Sequence, residues 1–227
     1  MKQCAVLFDL DGTLLDTLQD LGRSMNAVLA RMGFGTHEVA QYKQLVGEGV
    51  AALARGALPP SVRDHEPIVN ACVAALRDEY ALHCMDATAP YPGISEALAD
   101  LKEANVKTAV LSNKPDDMVK LLVRTFFPSI GFEVVLGASD SLPRKPDPAG
   151  AMEAARLLAV DPARIIFLGD SKTDMETAVA AGMFTVGALW GFRDARELSR
   201  YGARTLISKP GELLEVLEGR YNANFDH

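Results

Sequence analysis

Long apolar runs are missing from this chain. The first apolar stretch, Cys4-Ala5-Val6-Leu7-Phe8, is broken at once by Asp9. It is too short for the apolar region of a signal peptide and far too short to span a bilayer, so a cytoplasmic protein is expected. Positive charge is also scarce. Lys and Arg total 23 against 30 Asp and Glu, a formal net charge of −7, and no basic stripe or cluster interrupts the acidic background. That pattern argues against nucleic acid and anionic membrane as partners. An anionic small substrate stays open, because a metal ion can reverse a local field. Cysteine is sparse: Cys4, Cys72 and Cys84 are scattered and odd in number, without metal-ligand spacing. They read as reduced thiols, not as a disulfide framework or a zinc site. His37, His65, His83 and His227 have no partners at ligand spacing and read as surface residues. There is no internal repeat, low-complexity run or long linker.

What is present suits a globular protein. The 227 residues are 48% hydrophobic and 23% charged, enough for one large domain or a domain with a sizeable insert. Residues 4–8 read as a buried strand. Thr17 with Asp20 resembles an N-cap and capping box, and Leu21, Met25, Val28, Leu29 and Met32 follow at helical spacing. Further helices are predicted at 38–45, 50–58 and 67–82, with no strand between 14 and 88. From Tyr91 the pattern alternates. Strands are predicted at 106–111, 132–136, 165–168, 184–188 and 205–207. Helices are predicted at 94–105, 115–126, 148–158, 171–181, 194–201 and 211–217, with a frayed polar tail from Tyr221 to His227. This alternation implies an α/β fold, a parallel sheet covered by helices on both faces. The expected core is 1–13 with 89–227, and the expected insert is an all-helical domain at 14–88.

The chemistry concentrates where the strands end. Ligands of open parallel sheets bind beyond the carboxyl ends of the strands. Asp9 and Asp11 close the first strand, two apart and able to face one small volume. Like charges so close call for a cation between them or a shared proton. Gly12 lets the chain turn sharply out of the strand, and Thr13 follows. On its own the hexapeptide 8–13 also suits a plain turn. The strand at 106–111 leads into Ser112-Asn113-Lys114. Lys145 lies in Arg144-Lys145-Pro146-Asp147-Pro148, where Pro146 favours an extended Lys145 and Asp147-Pro148 reads as a helix cap and first turn. The strand at 165–168 leads into Gly169-Asp170-Ser171, with Asp174 beyond. A nucleophile, a cation and hydrogen-bond donors are what phosphoryl transfer needs. Ser112 and Asn113 can donate, Lys145 supplies a point charge, and Asp170 and Asp174 add the hard oxygens that Mg²⁺ prefers.

In this order the motifs resemble those of haloacid-dehalogenase-superfamily phosphatases, in the phosphoglycolate-phosphatase-like branch with a helical cap inserted after the first motif. The resemblance covers essentially the whole chain and implies a Rossmannoid core. It implies that Asp9 attacks phosphorus to form an aspartyl-phosphate, and that Asp11 protonates the leaving oxygen and then activates water. It implies Mg²⁺ bound by Asp9, the Asp11 carbonyl and Asp170, phosphoryl oxygens held by Ser112 and Lys145 with the Asn113 backbone nearby, and Asp174 positioning Lys145 or a metal-bound water. The second Asp argues for phosphate esters over carbon–halogen bonds.

Other polar residues have plainer readings. Lys114 reads as a solvated side chain before Pro115, with substrate contact as the alternative, Lys172 as a surface residue, Asp147 as a helix cap and Asp16 as helix-start chemistry. Trp190-Gly191-Phe192-Arg193 resembles a structural loop of this branch, with an approach of Arg193 to the site as the alternative. Gly47, Glu48 and Gly49 suggest a cap loop pressed close to a ligand, or else a simple interhelix turn. Glu48 would repel an anionic substrate unless turned away, and Arg55 or Lys43 are the candidates to compensate. The expected partner is a small phosphorylated metabolite, with phosphoglycolate first. Other sugar phosphates, nucleoside monophosphates, pyrophosphate, a β-phosphoglucomutase-like transfer and a non-catalytic binding protein remain alternatives. No exposed apolar stripe indicates an oligomeric state.

Overall fold

The computed structural model describes residues 4–222, so Lys2, His227 and most of the predicted polar tail lie outside the described residues. A six-stranded parallel sheet forms the core. Its strands are β1 (Ala5–Phe8), β4 (Lys107–Pro115), β5 (Val134–Ala138), β6 (Ile165–Gly169), β7 (Phe184–Ala188) and β8 (Thr205–Ile207), in the spatial order β5-β4-β1-β6-β7-β8. β1 therefore lies between β4 and β6, and the chain reverses its direction of winding there. Alternate side chains of the central strands feed two apolar layers. Val6, Phe8, Val110, Ile166 and Leu168 enter one, and Ala5, Leu7, Ala109, Leu111, Ile165 and Phe167 the other. Burial on both faces explains why these strands are continuous apolar runs.

Helices α4 (Ile94–Glu103), α5 (Asp116–Phe126), α6 (Ala149–Leu158), α7 (Lys172–Ala180), α8 (Ala195–Arg200) and α9 (Glu212–Asn222) alternate with the later strands. α4 shows how. Its buried residues Ile94, Ala97, Leu98 and Leu101 recur at helical spacing and face the sheet. Between β1 and β4 lie α1 (Leu18–Arg31), a 3₁₀ segment (Val39–Gln44), α2 (Val50–Ala57) and α3 (Glu66–His83). α1 and α2 pack on α3, and their buried residues Met25, Leu53 and Leu76 join the same apolar layer as Val6 and Phe8. No described helix is long and apolar enough to cross a membrane.

Four local expectations change. The helix predicted at 38–45 is the 3₁₀ segment, and the stretch 14–88 does contain a short strand. β2 (Leu15–Asp16) pairs antiparallel with β3 (Ala89–Pro90) where the chain leaves and rejoins the core. β4 runs on to Pro115, past its predicted end, with a register shift between Leu111 and Pro115. Thr17 is the N-cap residue of α1 but makes no side-chain cap, and Asp20 is not its capping-box partner. Asp20 is buried instead and accepts hydrogen bonds from the Ala87 and Thr88 amides and the Thr88 hydroxyl, the last at 2.8 Å.

Asp20 thus clamps the returning strand to the start of α1. Asp20→Ala strands these donors in the interior and is expected to destabilise the protein by about 2–4 kcal/mol. Urea unfolding checks this, and an unchanged midpoint would remove the clamp from the account.

Candidate active site

The ends of β4, β1 and β6, three neighbours in the sheet, bring the predicted polar residues together. Asp9 leaves β1 with its amide still donating to the Leu168 carbonyl. Ser112, Asn113 and Lys114 ride on the extension of β4, and Asp170 follows β6. Ser171 caps α7, accepting from the Asp174 amide while its own amide and hydroxyl donate to Asp174 Oδ2. This local capping box fixes Asp174 at the base of the site. Lys145, beside the cis bond to Pro146, reaches in from the loop before α6. Asp147 accepts from the Ala149 amide, as a helix-start residue should.

At the centre lies a buried ion chain. Lys145 Nζ is 2.6 Å from Asp174 Oδ1 and 2.8 Å from Asp9 Oδ1, and it donates to the Leu111 carbonyl. Its backbone is held by Asn113, whose Oδ1 accepts from the Lys145 amide and whose Nδ2 donates to the Lys145 and Gly47 carbonyls. The Asn113 side chain is therefore a strut joining three segments. Ser112 is buried at the cavity wall with its Oγ accepting from the Lys114 amide.

Asp170 is positioned from both sides. Its Oδ1 accepts from the Thr13 hydroxyl and its Oδ2 from the Phe192 amide, at 3.0 and 2.7 Å. The Trp190 indole N–H donates to the Thr13 carbonyl. Gly12, at φ +87°, packs so closely on Asp170 that a Cβ there would lie 2.7 Å from its Cγ, and Gly191 is equally tight against Asp170 and the Gly12 carbonyl. Residues 190–192 thus buttress the acid. Arg193 does not reach the site: it grips the carbonyls of Lys43, Gln44 and Val46.

Asp11 faces elsewhere. Its Oδ1 accepts from the Thr17 hydroxyl at 2.7 Å, and both oxygens accept from Lys114 Nζ at 2.9 and 3.0 Å. Lys114 was expected to be solvated. Its side chain is 5% exposed, because Asp11 pairs its charge and the Tyr80 ring of α3 covers its stem end. One signal for this lay in the sequence: Ser112 and Lys114 are two apart on an extended segment and share a side. Tyr80, more distant in the chain, had no such signal.

A cavity of about 660 Å³ opens over Asp9, Asp11 and Ser112 and is walled by α2, α3 and the 46–50 loop. Gly47 and Gly49, at φ +125° and +92°, line it. Glu48 is exposed and does not line it, so the repulsion feared for an anionic ligand does not arise. Arg55 does not compensate either, being paired with Glu66 outside the cavity. Lys43 is exposed and is likewise no part of its wall. Lys172 is near the surface, half-exposed, as expected.

Electrostatics set the requirement for a cation. Asp9, Asp170 and Asp174 each bring a carboxylate oxygen within 4.8 Å of one another, all buried. Burial first, and Asp174 second, push Asp9 up to about 7 from 3.8 against the pull of Lys145. Burial, Asp174 and Asp9 also raise Asp170. Burial works to lower the Lys145 ammonium, and Asp174 and Asp9 outweigh it. Asp9 Oδ1 is buried without an aligned hydrogen bond. Four carboxylates (Asp9, Asp11, Asp170, Asp174) against two lysines (Lys114, Lys145) leave two negative charges. The donor set therefore fits a hard divalent cation.

A parallel sheet gathering carboxylates and lysines at the ends of its central strands, beneath a helical insert, defines an α/β enzyme of Rossmannoid type. Residues 6–188 match the haloacid dehalogenase-like hydrolase family, and the chain belongs to that family. It is 33% identical over 214 residues to the phosphoglycolate phosphatase of Pseudomonas putida, covering 92% of this chain and 78% of that protein. It is 30% identical over 219 residues to the N-acetylmuramic acid 6-phosphate phosphatase of Pseudomonas aeruginosa, covering 96% of each. The structure of a candidate phosphoglycolate phosphatase from Lactobacillus delbrueckii subsp. bulgaricus superposes with a TM-score of 0.89 at 31% identity, covering 96% of this chain and 99% of that one.

Without a divalent cation, Asp9 makes stability pH-dependent. Its folded pKa of about 7 lies above the ordinary 3.8, so between them the native state binds more protons than the unfolded one. Stability from this group falls as pH rises from about 4 to about 7. Melting in chelator should show Asp9→Asn gaining on the wild type across that window, with added Mg²⁺ cancelling the gain. A constant gap would count against a strained Asp9.

Proposed function

We propose that this phosphatase hydrolyses small phosphomonoesters through an aspartyl-phosphate on Asp9, with phosphoglycolate as its leading substrate. The observation that carries the reading is the divergence of two carboxylates two residues apart. Both line the cavity, but Asp9 pairs with Lys145 beside the acid cluster, while Asp11 pairs with Lys114 and the Thr17 hydroxyl. Paired carboxylates in unlike settings suit unlike roles.

In this reading an Asp9 oxygen attacks phosphorus and the leaving oxygen departs with a proton from Asp11. Asp11 then takes a proton from the water that attacks the phosphoaspartate, which frees Asp9 and releases phosphate. Lys145 and Ser112 hold the non-bridging oxygens. Asp9, Asp170 and the Asp11 carbonyl would hold Mg²⁺, which supplies charge neutralisation when bound. Asp174 positions Lys145. Residues 14–88 serve as a cap that covers the reacting group, with Gly47 and Gly49 part of its inner surface and Glu48 turned away. The three free thiols support a cytoplasmic setting, and the relatives named above support a small phosphorylated metabolite as partner.

The test is Mg²⁺-dependent phosphate release from phosphoglycolate, N-acetylmuramic acid 6-phosphate, hexose phosphates and pyrophosphate. Phosphoglycolate is expected to lead, and Asp9→Asn to lose at least about 10³-fold in kcat. A different leading ester would retire the substrate and keep the chemistry. Conversion of a hexose 1-phosphate to its 6-phosphate without free phosphate would replace hydrolysis by mutase transfer.

A further inference from the structure

Two polar groups beside Asp11 have no part in that mechanism. Lys114, from the core strand β4, is buried, and its ammonium touches both Asp11 oxygens. That ammonium also lies 4.5 Å from the centre of the Tyr80 ring, from α3 of the helical insert. Tyr80 is 5% exposed, and its hydroxyl is buried beside the Lys114 ammonium, where it accepts from that cation at most and donates its own proton to no protein group. Both residues line the cavity. A buried donor left without an acceptor is costly, and on a residue that lines the cavity an oxygen of a bound ligand is the acceptor that would satisfy it. Burial pushes this phenol up to about 12, so it stays a donor at neutral pH. An ammonium has three N–H groups, so Asp11 leaves Lys114 with donor capacity.

Position identifies what that atom belongs to. The phosphoryl group sits with Asp9, Ser112 and Lys145. Asp11 meets the leaving oxygen, so groups packed around Asp11 on the cavity side face the rest of the leaving group. A donor hydroxyl and an ammonium call for an anionic oxygen. Among the described residues lining the cavity, the only other cation is Arg77, which is exposed, as are the lining acids Asp78, Asp117 and Asp140. The exposed acids repel an anion, and on the inner wall Lys114 and the Tyr80 hydroxyl are the donors that would receive one. A short leaving group whose anion sits near the leaving oxygen satisfies both.

We propose that Lys114 and the Tyr80 hydroxyl form the subsite for a carboxylate borne on the same carbon that carries the leaving oxygen. The inference rests on the phosphatase reading and deepens it. The substrate carboxylate shares the Lys114 ammonium with Asp11, and Tyr80 brings the cap into the recognition. These residues, rather than the 47–49 loop or Arg55, are the ones that select the substrate.

The experiment compares kcat/KM for 2-phosphoglycolate and 2-hydroxyethyl phosphate, which have the same backbone and differ in the carboxylate. Each variant is its own reference, so general damage to Asp11 or to folding cancels in the ratio. The wild type should prefer phosphoglycolate. Tyr80→Phe and Lys114→Met should each lower that preference by about tenfold or more, while Lys114→Arg restores most of it and Arg77→Met leaves it near wild type. Ratios unchanged in Tyr80→Phe and Lys114→Met, a ratio set by Arg77 instead, or a wild type without preference would each overturn the subsite while leaving the phosphatase standing. Hydrolysis of neither ester, nor of any in the wider panel, would overturn the phosphatase reading and the subsite with it.

Discussion

The site is organised around one buried cation. Lys145 stands between Asp9 and Asp174 with its ammonium almost fully enclosed, and neither acid could stay buried and ionised without it. Burying charges costs several kcal/mol per ion in general, and only close pairing with added hydrogen bonds offsets that. Here the offsets come from every direction. The Leu111 carbonyl accepts from the ammonium, Ser171 secures the far side of Asp174, and Asn113 holds the lysine's backbone. Through these bonds β4, the start of α7, the loop before α6 and the Gly47 loop acquire fixed positions relative to one another. The acid excess that remains is a consequence of the same economy of cations. It leaves Asp9 and Asp170 raised and ready for a divalent ion.

The fold was largely legible because its strands are apolar on both faces. β7 and β8 match their predicted bounds, and the parallel order follows from alternation of strands with helices. The motif residues converge because a parallel sheet puts the carboxyl ends of all its strands at one edge. The illegible features of the site share a physical cause: polar residues buried by one another. Ser112, Asn113 and Lys114 ended the apolar pattern, so the strand seemed to stop where it in fact continued to Pro115. Lys114 read as solvated because its partners, Asp11 and Tyr80, are far away in the chain. Asp20 imitates a capping box with Thr17, yet its acceptors serve amides and a hydroxyl 67 and 68 residues away. Local spacing had no access to such partners.

Core and insert share one continuous apolar layer, but their polar contacts are few and pointed. Arg193 holds the carbonyls at the end of the 3₁₀ segment, Asn113 holds Gly47, and Tyr80 covers Lys114. Each of these touches a residue that lines the cavity or lies next to one that does. The orientation of the insert is thereby tied to the wall of the cavity, and the side chains that line the cavity are drawn from both bodies.

The two-residue strands β2 and β3 carry a different lesson. They pair antiparallel, so the chain departs from the sheet and returns to it along adjacent paths. The insert of some seventy residues hangs from the core as a closed excursion whose two feet are hydrogen-bonded together. Because the cost of closing a loop grows only slowly with its length, the sheet scarcely senses how much chain lies beyond those feet. A scaffold built this way can exchange its insert wholesale while Asp9, Lys145 and Asp170 stay where they are. The insert is an appendage with a standard fitting, and the sheet is its socket.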